Sequence, residues 1–242
     1  MSIIVTQISK YGIVFGADSN ITNDTEVVKE DIKIFEIPKL KSAMCTAGAY
    51  SVNGEILSKW LLKFIEERSN EYTNLKEFTE LLKNEVGEKM STDEKKNLFI
   101  THIAGYENGH PEMWHISNTK LENGEYTEGQ EKFHLSEDLW NRDWKKNNLE
   151  NIFESDGLNY QLYVNGYTPG RIAFNVVRTY IDTFFMSMWQ QQNYKFRPPR
   201  NIKEQEEFVK IYIQIINSLF EISDYEPKII GGNVKTFSIS KP

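Results

Sequence analysis

The chain has 242 residues, with 35 acidic and 28 basic side chains and a formal net charge of −7. This length is enough for one large domain with a sizeable core, and the acidic balance argues against a protein that binds nucleic acid. No segment approaches the roughly 20 apolar residues of a membrane-spanning helix, and no signal-peptide pattern is present. We therefore expect a cytoplasmic protein with neither nucleic acid nor a membrane as partner.

The first part of the sequence predicts a meander of four short strands followed by two helices. Turn-forming or polar stretches separate the apolar and β-branched runs. Apolar residues then recur at helical spacing, with one apolar stripe from Ile56 to Ile65 and another from Leu75 to Val86. The four predicted strands are residues 3 to 9, 12 to 18, 32 to 37 and 41 to 47.

The second part repeats this order, with strands, two helices and strands again. The dipeptide Asn108-Gly109 is a strong hairpin signal, and the prolines of "KFRPPRN" separate the two helices. The strands are predicted at 97 to 106, at 111 to 117, near 159 to 165 and on both sides of Gly231-Gly232, and the helices at about 170 to 190 and 203 to 220.

This order of elements predicts a single α+β domain over residues 1 to 242, since no internal repeat or linker divides the chain. Each helix has one apolar face to bury, and a sheet face is the natural partner. We therefore expect two antiparallel sheets packed together, with helix pairs covering their outer faces.

The opening hairpin predicts a polar cluster at one end of the sheet. If its turn lies at Lys10 to Gly12, the numbers of facing residues sum to about 21 or 22. Ser2 then lies opposite Ser19 or Asn20 and diagonal to Asp18, within roughly 5 to 8 Å.

The third strand adds a lysine to this cluster. In "DIKIFEI", Lys33 stands between Ile32 and Ile34, and apolar surroundings readily lower the pKa of a lysine. A serine, an aspartate and a lysine are thus expected to converge.

Several segments spread over the chain carry a resemblance to a known family. They are "GIVFGADSNIT", "IKIFEI", "TAGAY", "FITHIAGYENGHPEMWHIS" and "IGGNVKTFSI". Together they resemble proteasome β-type subunits and their bacterial relatives, which are N-terminal-nucleophile hydrolases. The resemblance implies a four-layer α-β-β-α sandwich, cleavage of peptide or amide bonds, no cofactor, and homo-oligomers in the form of rings or arcs.

The resemblance also implies the catalytic residues. The nucleophile is Ser2, exposed by removal of Met1; Asp18 follows it by 16 positions, and Lys33 precedes an apolar pair. The N–H of Gly48 in Ala47-Gly48 would bind the oxyanion. A serine hydroxyl is a weak nucleophile, and the free α-amine, with an ordinary pKa of about 7.7 to 8.0, is a suitable base.

A peptide substrate would pair with the backbone beside the nucleophile, as substrates do in this family. The residues expected to contact it are Asn20, Ile21, Thr22 and Gly48 along the backbone, with Thr46 and Tyr50 lining the first pocket.

The chain departs from the family where polar groups support the nucleophile. The turn "VNGYTPG" contains no serine, and "EPKIIGG" has Pro227 and Ile230 in place of an aspartate and a serine. The candidates to replace these supporting groups are Asn165, Thr168, Asp224 or Glu226. Residues 119 to 158 have no counterpart in the family and form a lid, an assembly surface or a plain insertion.

Two alternative functions follow from these departures. One is a catalytically silent subunit with a structural or partner-binding role. Proteasome α-type subunits are silent, but they have a helix before the first strand. This sequence starts directly at the first predicted strand, which favours the β-type. The other is an amidase for small molecules on the same scaffold.

Two further residue types are expected to be structural. A two-residue turn at Asn108-Gly109 makes facing residues sum to 217 and sets His102 opposite His115. With no third ligand in view, we interpret them as ordinary sheet histidines without a metal. The single cysteine, Cys45, is interpreted as a small core residue.

Overall fold

The computed structural model describes eight stretches of the chain. Its helices and antiparallel sheets make this an α+β fold, as predicted. Among these residues, none of the helices is long and apolar enough to cross a membrane. The described residues are 2–22, 27–68, 70–122, 125–127, 132–147, 160–191, 197–224 and 230–242.

The helices and strands follow the predicted order closely. The helices are α1 Leu57–Glu67, α2 Leu75–Lys89, α3 Leu139–Asn147, α4 Thr168–Gln190 and α5 Ile202–Glu221. The strands are β1 Ile3–Ser9, β2 Gly12–Ala17, β3 Asn20–Thr22, β4 Val27–Glu30, β5 Ile34–Ile37, β6 Ser42–Gly48, β7 Ser51–Val52, β8 Glu55–Ile56, β9 Phe99–Glu107, β10 His110–Ser117, β11 Lys120–Glu122, β12 Glu125–Thr127, β13 His134–Leu135, β14 Tyr160–Gly166 and β15 Lys235–Ser240.

Two main antiparallel sheets organise the fold. One has the strand order β14-β1-β2-β15 and the other β13-β10-β9-β6-β5. In the first sheet, Ile4 faces Ala17 and Ser9 faces Gly12, which is the predicted hairpin with facing residues summing to 21. In the second, Asn108 and Gly109 have φ of 50° and 80°, as a two-residue hairpin turn requires.

Several elements differ from the sequence prediction. The short strands β7, β8 and β11 to β13 and the helix α3 were not predicted at all. The polar stretch before the third strand contains the short hairpin of β3 and β4, because backbone pairing there does not depend on an apolar pattern. The strand predicted at 32 begins at Ile34, so Lys33 lies just outside it. A strand follows Gly231-Gly232, but Ile230 is not in a strand, and residues 225 to 229 lie outside the described part.

Apolar side chains form three clusters that explain how these elements pack. Alternate residues of β1 point to opposite faces of its sheet: Ile4 joins a cluster with the second sheet, and Ile3 joins one with α4 and α5. A third cluster joins the second sheet to α1 and α2. The buried strands of both sheets therefore carry apolar residues on both faces.

Helix starts are set by local capping. The side chain of Asn74 accepts a hydrogen bond from the N–H of Glu77 at 2.9 Å, and Asn201 accepts one from Glu204 at 2.9 Å. Each asparagine satisfies one of the free N–H groups in the first turn of its helix. Asn201 also follows the prolines that end the preceding segment.

Candidate active site

Three buried polar residues meet where the first strands of the fold come together. Ser2 directly precedes β1, Asp18 directly follows β2, and Lys33 directly precedes β5. All three are almost inaccessible to solvent. The antiparallel register of β1 and β2 brings the first two residues together, as the sequence predicted.

The ammonium group of Lys33 is the centre of this cluster. Its Nζ lies 2.5 Å from Ser2 Oγ and 3.1 Å from Asp18 Oδ1. It also donates a hydrogen bond to the backbone carbonyl of Asn20 at 2.6 Å. Three oxygen atoms thus accept hydrogen bonds from the three N–H donors of the ammonium group.

The carboxylate of Asp18 is held by backbone donors as well. Its Oδ1 accepts a hydrogen bond from the N–H of Ile3 at 2.9 Å, and its Oδ2 accepts one from the N–H of Gly231 at 3.2 Å. These two donors were not predicted from the sequence. The Gly231-Gly232 pair was the available signal, since a Cβ on Gly231 would lie 2.7 Å from Asn20 Nδ2.

Burial is the largest influence on the pKa of both charged groups. Loss of hydration raises the pKa of the Asp18 carboxyl and lowers the pKa of the Lys33 ammonium. Attraction between the two charges opposes both shifts. The lysine therefore holds its proton less firmly than a lysine in water, directly beside the hydroxyl of Ser2.

A narrow cleft lies beside this cluster. Most of the predicted substrate contacts line it, whereas Asp31, Ile32, Leu57 and Ser58 were not identified from sequence. The carboxylate of Asp31 accepts hydrogen bonds from Lys29 Nζ at 2.6 Å and Ser58 Oγ at 2.8 Å. The cleft is lined by Ser2, Ile21, Asp31, Ile32, Lys33, Thr46, Ala47, Gly48, Ala49, Tyr50, Leu57 and Ser58.

Gly48 occupies a backbone conformation that favours glycine. Its φ is 97°, and a Cβ at this position would lie 2.0 Å from the carbonyl oxygen of Leu98. Both observations exclude a side chain here without a backbone shift. The main chain of β6 thus comes unobstructed to the edge of the cleft beside Ser2.

The predicted substrate contacts have varied environments. Asn20 is buried and offers its carbonyl to Lys33 rather than to the cleft. Thr46 donates its hydroxyl to the carbonyl of Ile100 at 3.1 Å, so its polar group is already bonded. Tyr50 is exposed, with Lys29 Nζ 5.5 Å from the ring centroid. The backbone of Thr22 pairs with Val27 in the β3–β4 hairpin.

Among the described residues, the candidates to replace the supporting groups of the nucleophile do not lie beside Ser2. The Nδ2 atom of Asn165 lies 2.8 Å from His102 Nε2, and Thr168 and Asp224 are exposed. Glu226 and Pro227 lie outside the described residues. Ile230 is buried in the cluster with α4 and α5. The backbone N–H of Tyr167 donates to the carbonyl of Ser2 at 2.9 Å, which is a contact that sequence reasoning missed.

The two predicted sheet histidines do face each other. His102 pairs with His115 across β9 and β10, and their ring centroids are 5.9 Å apart. His102 Nδ1 lies 3.1 Å from Thr6 Oγ1, and His102 Nε2 lies next to Asn165 Nδ2. Both ring nitrogens of His102 therefore have a partner in the protein. In the described part of the chain, no cluster of three or more candidate ligands for a metal is present.

Cys45 is completely buried in the cluster between the two sheets. Burial raises the pKa of its thiol to about 12, so the reactive thiolate is scarce at neutral pH. The interpretation of Cys45 as a small core residue agrees with this environment.

Comparison with known proteins does not assign the chain to a family. No protein-family model matches it, and no curated protein gives a significant match. The geometry of the cleft therefore carries the functional argument.

Proposed function

We propose that this chain is an N-terminal-nucleophile hydrolase of the proteasome-like type, with Ser2 as nucleophile of amide-bond cleavage. The observation that carries the proposal is the buried contact of Lys33 Nζ with Ser2 Oγ at 2.5 Å and Asp18 Oδ1 at 3.1 Å. A hydroxyl, a cation and an acid in one water-poor cluster, at the edge of a cleft, form a typical catalytic arrangement.

The fold that we propose for this function is a four-layer α-β-β-α sandwich. The three apolar clusters support it, since one joins the two sheets and the other two join each sheet to a helix pair. Homo-oligomeric rings or arcs belong to the same proposal and come from the family resemblance.

The proposed reaction proceeds in two steps. The α-amine of Ser2, freed by cleavage after Met1, takes the hydroxyl proton as Oγ bonds to the substrate carbonyl carbon. The C–N bond then breaks, the proton passes to the leaving amine, and an ester remains on Ser2. Water attacks this ester and releases the acid, which restores the hydroxyl.

Lys33 and Gly48 have supporting roles in the proposed mechanism. The Lys33 ammonium, oriented by Asp18, stabilises negative charge that develops on Ser2 Oγ. The N–H of Gly48 donates to the oxyanion, a contribution of about 3 kcal/mol in comparable sites. The positive φ of Gly48, which glycine adopts readily, fits a main chain that must approach the reacting carbonyl closely.

A test of the proposal uses protein whose intact mass and N-terminal sequence show that it begins at Ser2. We expect an electrophile selective for N-terminal serine to label it, and a library of peptides and amides to include a substrate. Ser2→Ala should abolish both the labelling and the cleavage. Lys33→Ala should lower the cleavage rate nearly as much, because residues of one catalytic unit do not contribute additively. Ser187→Ala, in an exposed serine of α4, is the matched control and should retain activity.

A second function is favoured by one specific observation. Ile230 is apolar and buried, and a Cβ on Gly170 would lie 2.0 Å from its Cδ1, where an active site of this kind would keep a polar support. The alternative is a catalytically silent subunit that acts by assembly or by binding a partner. Protein that begins at Ser2 but neither labels nor cleaves any library member would favour this alternative over the hydrolase.

A further inference from the structure

A groove runs between the edges of the two main sheets. In the described part of the chain, β5 is the last strand of one sheet and β15 the last strand of the other, and the two strands lie close together. We name the space between them the edge groove; residues 30 to 34 and Glu36 line one wall, and residues 235 to 237 line the other. Its volume is about 510 Å³, which lies within the range of about 300 to 1,000 Å³ that is typical of small-molecule sites.

The walls of the edge groove are largely apolar. Ile34 and Phe237 line the groove and also pack against the apolar cluster between the two sheets. Ile32 lines it as well, with 54% of its surface exposed. A ligand that covers these three side chains removes apolar surface from water, which favours a ligand with an apolar body.

The edge groove also contains two carboxylates without a cation in direct contact among the described residues. Glu30 accepts hydrogen bonds from neutral groups, Ser19 Oγ at 2.7 Å and Asn233 Nδ2 at 2.7 Å. The bond from Ser19, and secondarily that from Asn233, lowers the pKa of Glu30, so this carboxylate is ionised at neutral pH. Glu36 is exposed and makes no hydrogen bond or ion pair within the described part of the chain.

The segment before β5 adds two charged residues that are already paired. The carboxylate of Asp31 lies 2.6 Å from Lys29 Nζ, and Lys33 Nζ lies 3.1 Å from the carboxylate of Asp18. Each pair is neutral as a whole, so neither adds a net charge to the groove.

The charges that remain favour a positive ligand. Lys235 supplies an ammonium group on the opposite wall and contributes to the low pKa of Glu30. The carboxylates of Glu30 and Glu36 outnumber this ammonium group, so the groove keeps an excess of negative charge. A cation is therefore attracted to it, and an anion of the same shape is repelled.

We propose that the edge groove binds a small organic cation with an apolar body, which is the chemistry of an arylalkylamine. The positive charge is held by Glu30 and Glu36, and the apolar body covers Ile34 and Phe237. Binding in the groove requires no reaction at Ser2, so this site stands apart from the proposed hydrolase function.

The first test compares three probes that share one apolar body and differ in charge. They are phenethylamine, neutral 2-phenylethanol and anionic 3-phenylpropionate, each titrated into the full-length protein by calorimetry. We expect phenethylamine to bind at least about fivefold more tightly than either of the others, as two weakly screened carboxylates allow. Glu36→Gln should weaken binding of phenethylamine by about threefold and leave that of 2-phenylethanol unchanged. Glu55→Gln, at an exposed glutamate of β8 outside the groove, is the matched control and should bind like the wild type.

The second test locates the ligand without a disruptive substitution. Residues 31 to 33 line both the edge groove and the cleft at Ser2, whereas residues 235 to 237 line only the groove and Tyr50 only the cleft. On titration with phenethylamine, we expect the backbone amide signals of residues 235 to 237 to shift in nuclear magnetic resonance spectra and that of Tyr50 to stay in place. Tyr50→Ala should leave the affinity for phenethylamine unchanged.

A third titration identifies the source of the cation, because the lysine side chain of a peptide presents the same ammonium group as a free amine. A capped Phe-Lys dipeptide that binds more tightly than phenethylamine, and loses affinity in Glu36→Gln, assigns the groove to basic peptides; weaker binding assigns it to free amines. No saturable binding of phenethylamine or the dipeptide below about 10 mM, equal affinities for the three charge forms, equal behaviour of Glu36→Gln and Glu55→Gln, or shifts at Tyr50 without shifts at residues 235 to 237 would each overturn the proposal.

Discussion

Three oxygen atoms surround the amino group of Lys33 in the interior of the protein, and each lies within hydrogen-bond distance of its Nζ atom. Burying an ion pair costs solvation free energy that the attraction between the charges only partly returns. A pair retained under this cost, with Ser2 Oγ as the third neighbour, is typical of a site that uses the charge. Substituting Lys33 alone would leave the Asp18 carboxylate buried, which couples the stability of the fold to its proposed chemistry.

Gly48 offers a test at the same scale. Gly48→Ala should lower the free energy of unfolding by at least about 2 kcal/mol, because alanine disfavours a positive φ and its Cβ would meet the Leu98 carbonyl. Gly54→Ala is the matched control: Gly54 has a φ of 75°, but nothing lies within 4 Å of the added Cβ. Gly54→Ala should lower the free energy of unfolding by only about 1 kcal/mol. Urea denaturation measures both, and equal losses would contradict a role for the close approach to Leu98.

At the scale of elements, patterns of side chains could be predicted and contacts made by the backbone could not. The register of β1 and β2 followed from a turn placed at Lys10 to Gly12, which also brought Ser2 and Asp18 together. The donor to Asp18 from Ile3 has no residue type that marks it, and the donor from Gly231 is marked only by the glycine pair at 231 and 232. The β3–β4 hairpin was missed for the same reason, since backbone pairing holds it and its strands show no clear apolar pattern.

Residues of the cleft divide in the same way. Gly48 and Tyr50 were predicted because they belong to the segment "TAGAY", which carries part of the family resemblance. Asp31 and Ser58 come from separate elements, and their contact depends on how α1 packs beside β5. Periodicity predicts that α1 has an apolar face but not which polar residue lies at its edge.

The turn between β7 and β8 is held by one carboxylate. Glu94 accepts hydrogen bonds from Ser51 Oγ and from the N–H groups of Asn53, Gly54 and Ser91. Burial raises the pKa of Glu94, but these hydrogen bonds outweigh it and lower the pKa to about 2 from 4.5. The folded state thus binds this proton more weakly than the unfolded state, so the stabilisation exists above about pH 4.5 and is lost as the pH falls towards 2.

Glu94→Gln should therefore lower the free energy of unfolding by about 1 to 2 kcal/mol at pH 7, after allowance for partial exposure. The difference from wild type should shrink as the pH falls from 4.5 to 2. Glu67→Gln, at an exposed position of α1, should change neither the free energy of unfolding at pH 7 nor its dependence on pH appreciably. Chemical denaturation at several pH values measures this, and a constant difference between Glu94→Gln and wild type would contradict the assignment.

At the scale of the whole molecule, two histidines on neighbouring strands of the second sheet face each other, and one of them contacts the first sheet. His102 is completely buried between Thr6 and Asn165, and it pairs with His115 on the neighbouring strand. Burial, and secondarily the charge of His115, holds the pKa of His102 well below 6.5. Burial also lowers the pKa of His115 to about 4. Both histidines are therefore neutral in the folded protein at pH 7.

Acid should weaken the packing of the sheets through these histidines. Because both pKa values are lower in the folded than in the unfolded state, the stabilisation is full above about pH 6.5 and declines as the pH falls. Between pH 6 and 5, we expect the free energy of unfolding to fall by up to about 1.4 kcal/mol per pH unit for each histidine. His102→Gln should reduce this slope whatever its effect on stability at pH 7, since glutamine can bond to Thr6 and Asn165 but binds no proton. His110→Gln, at an exposed position in β10, should keep the wild-type slope. Denaturation curves recorded across this range measure the slope, and an unchanged value for His102→Gln would place the acid sensitivity elsewhere in the fold.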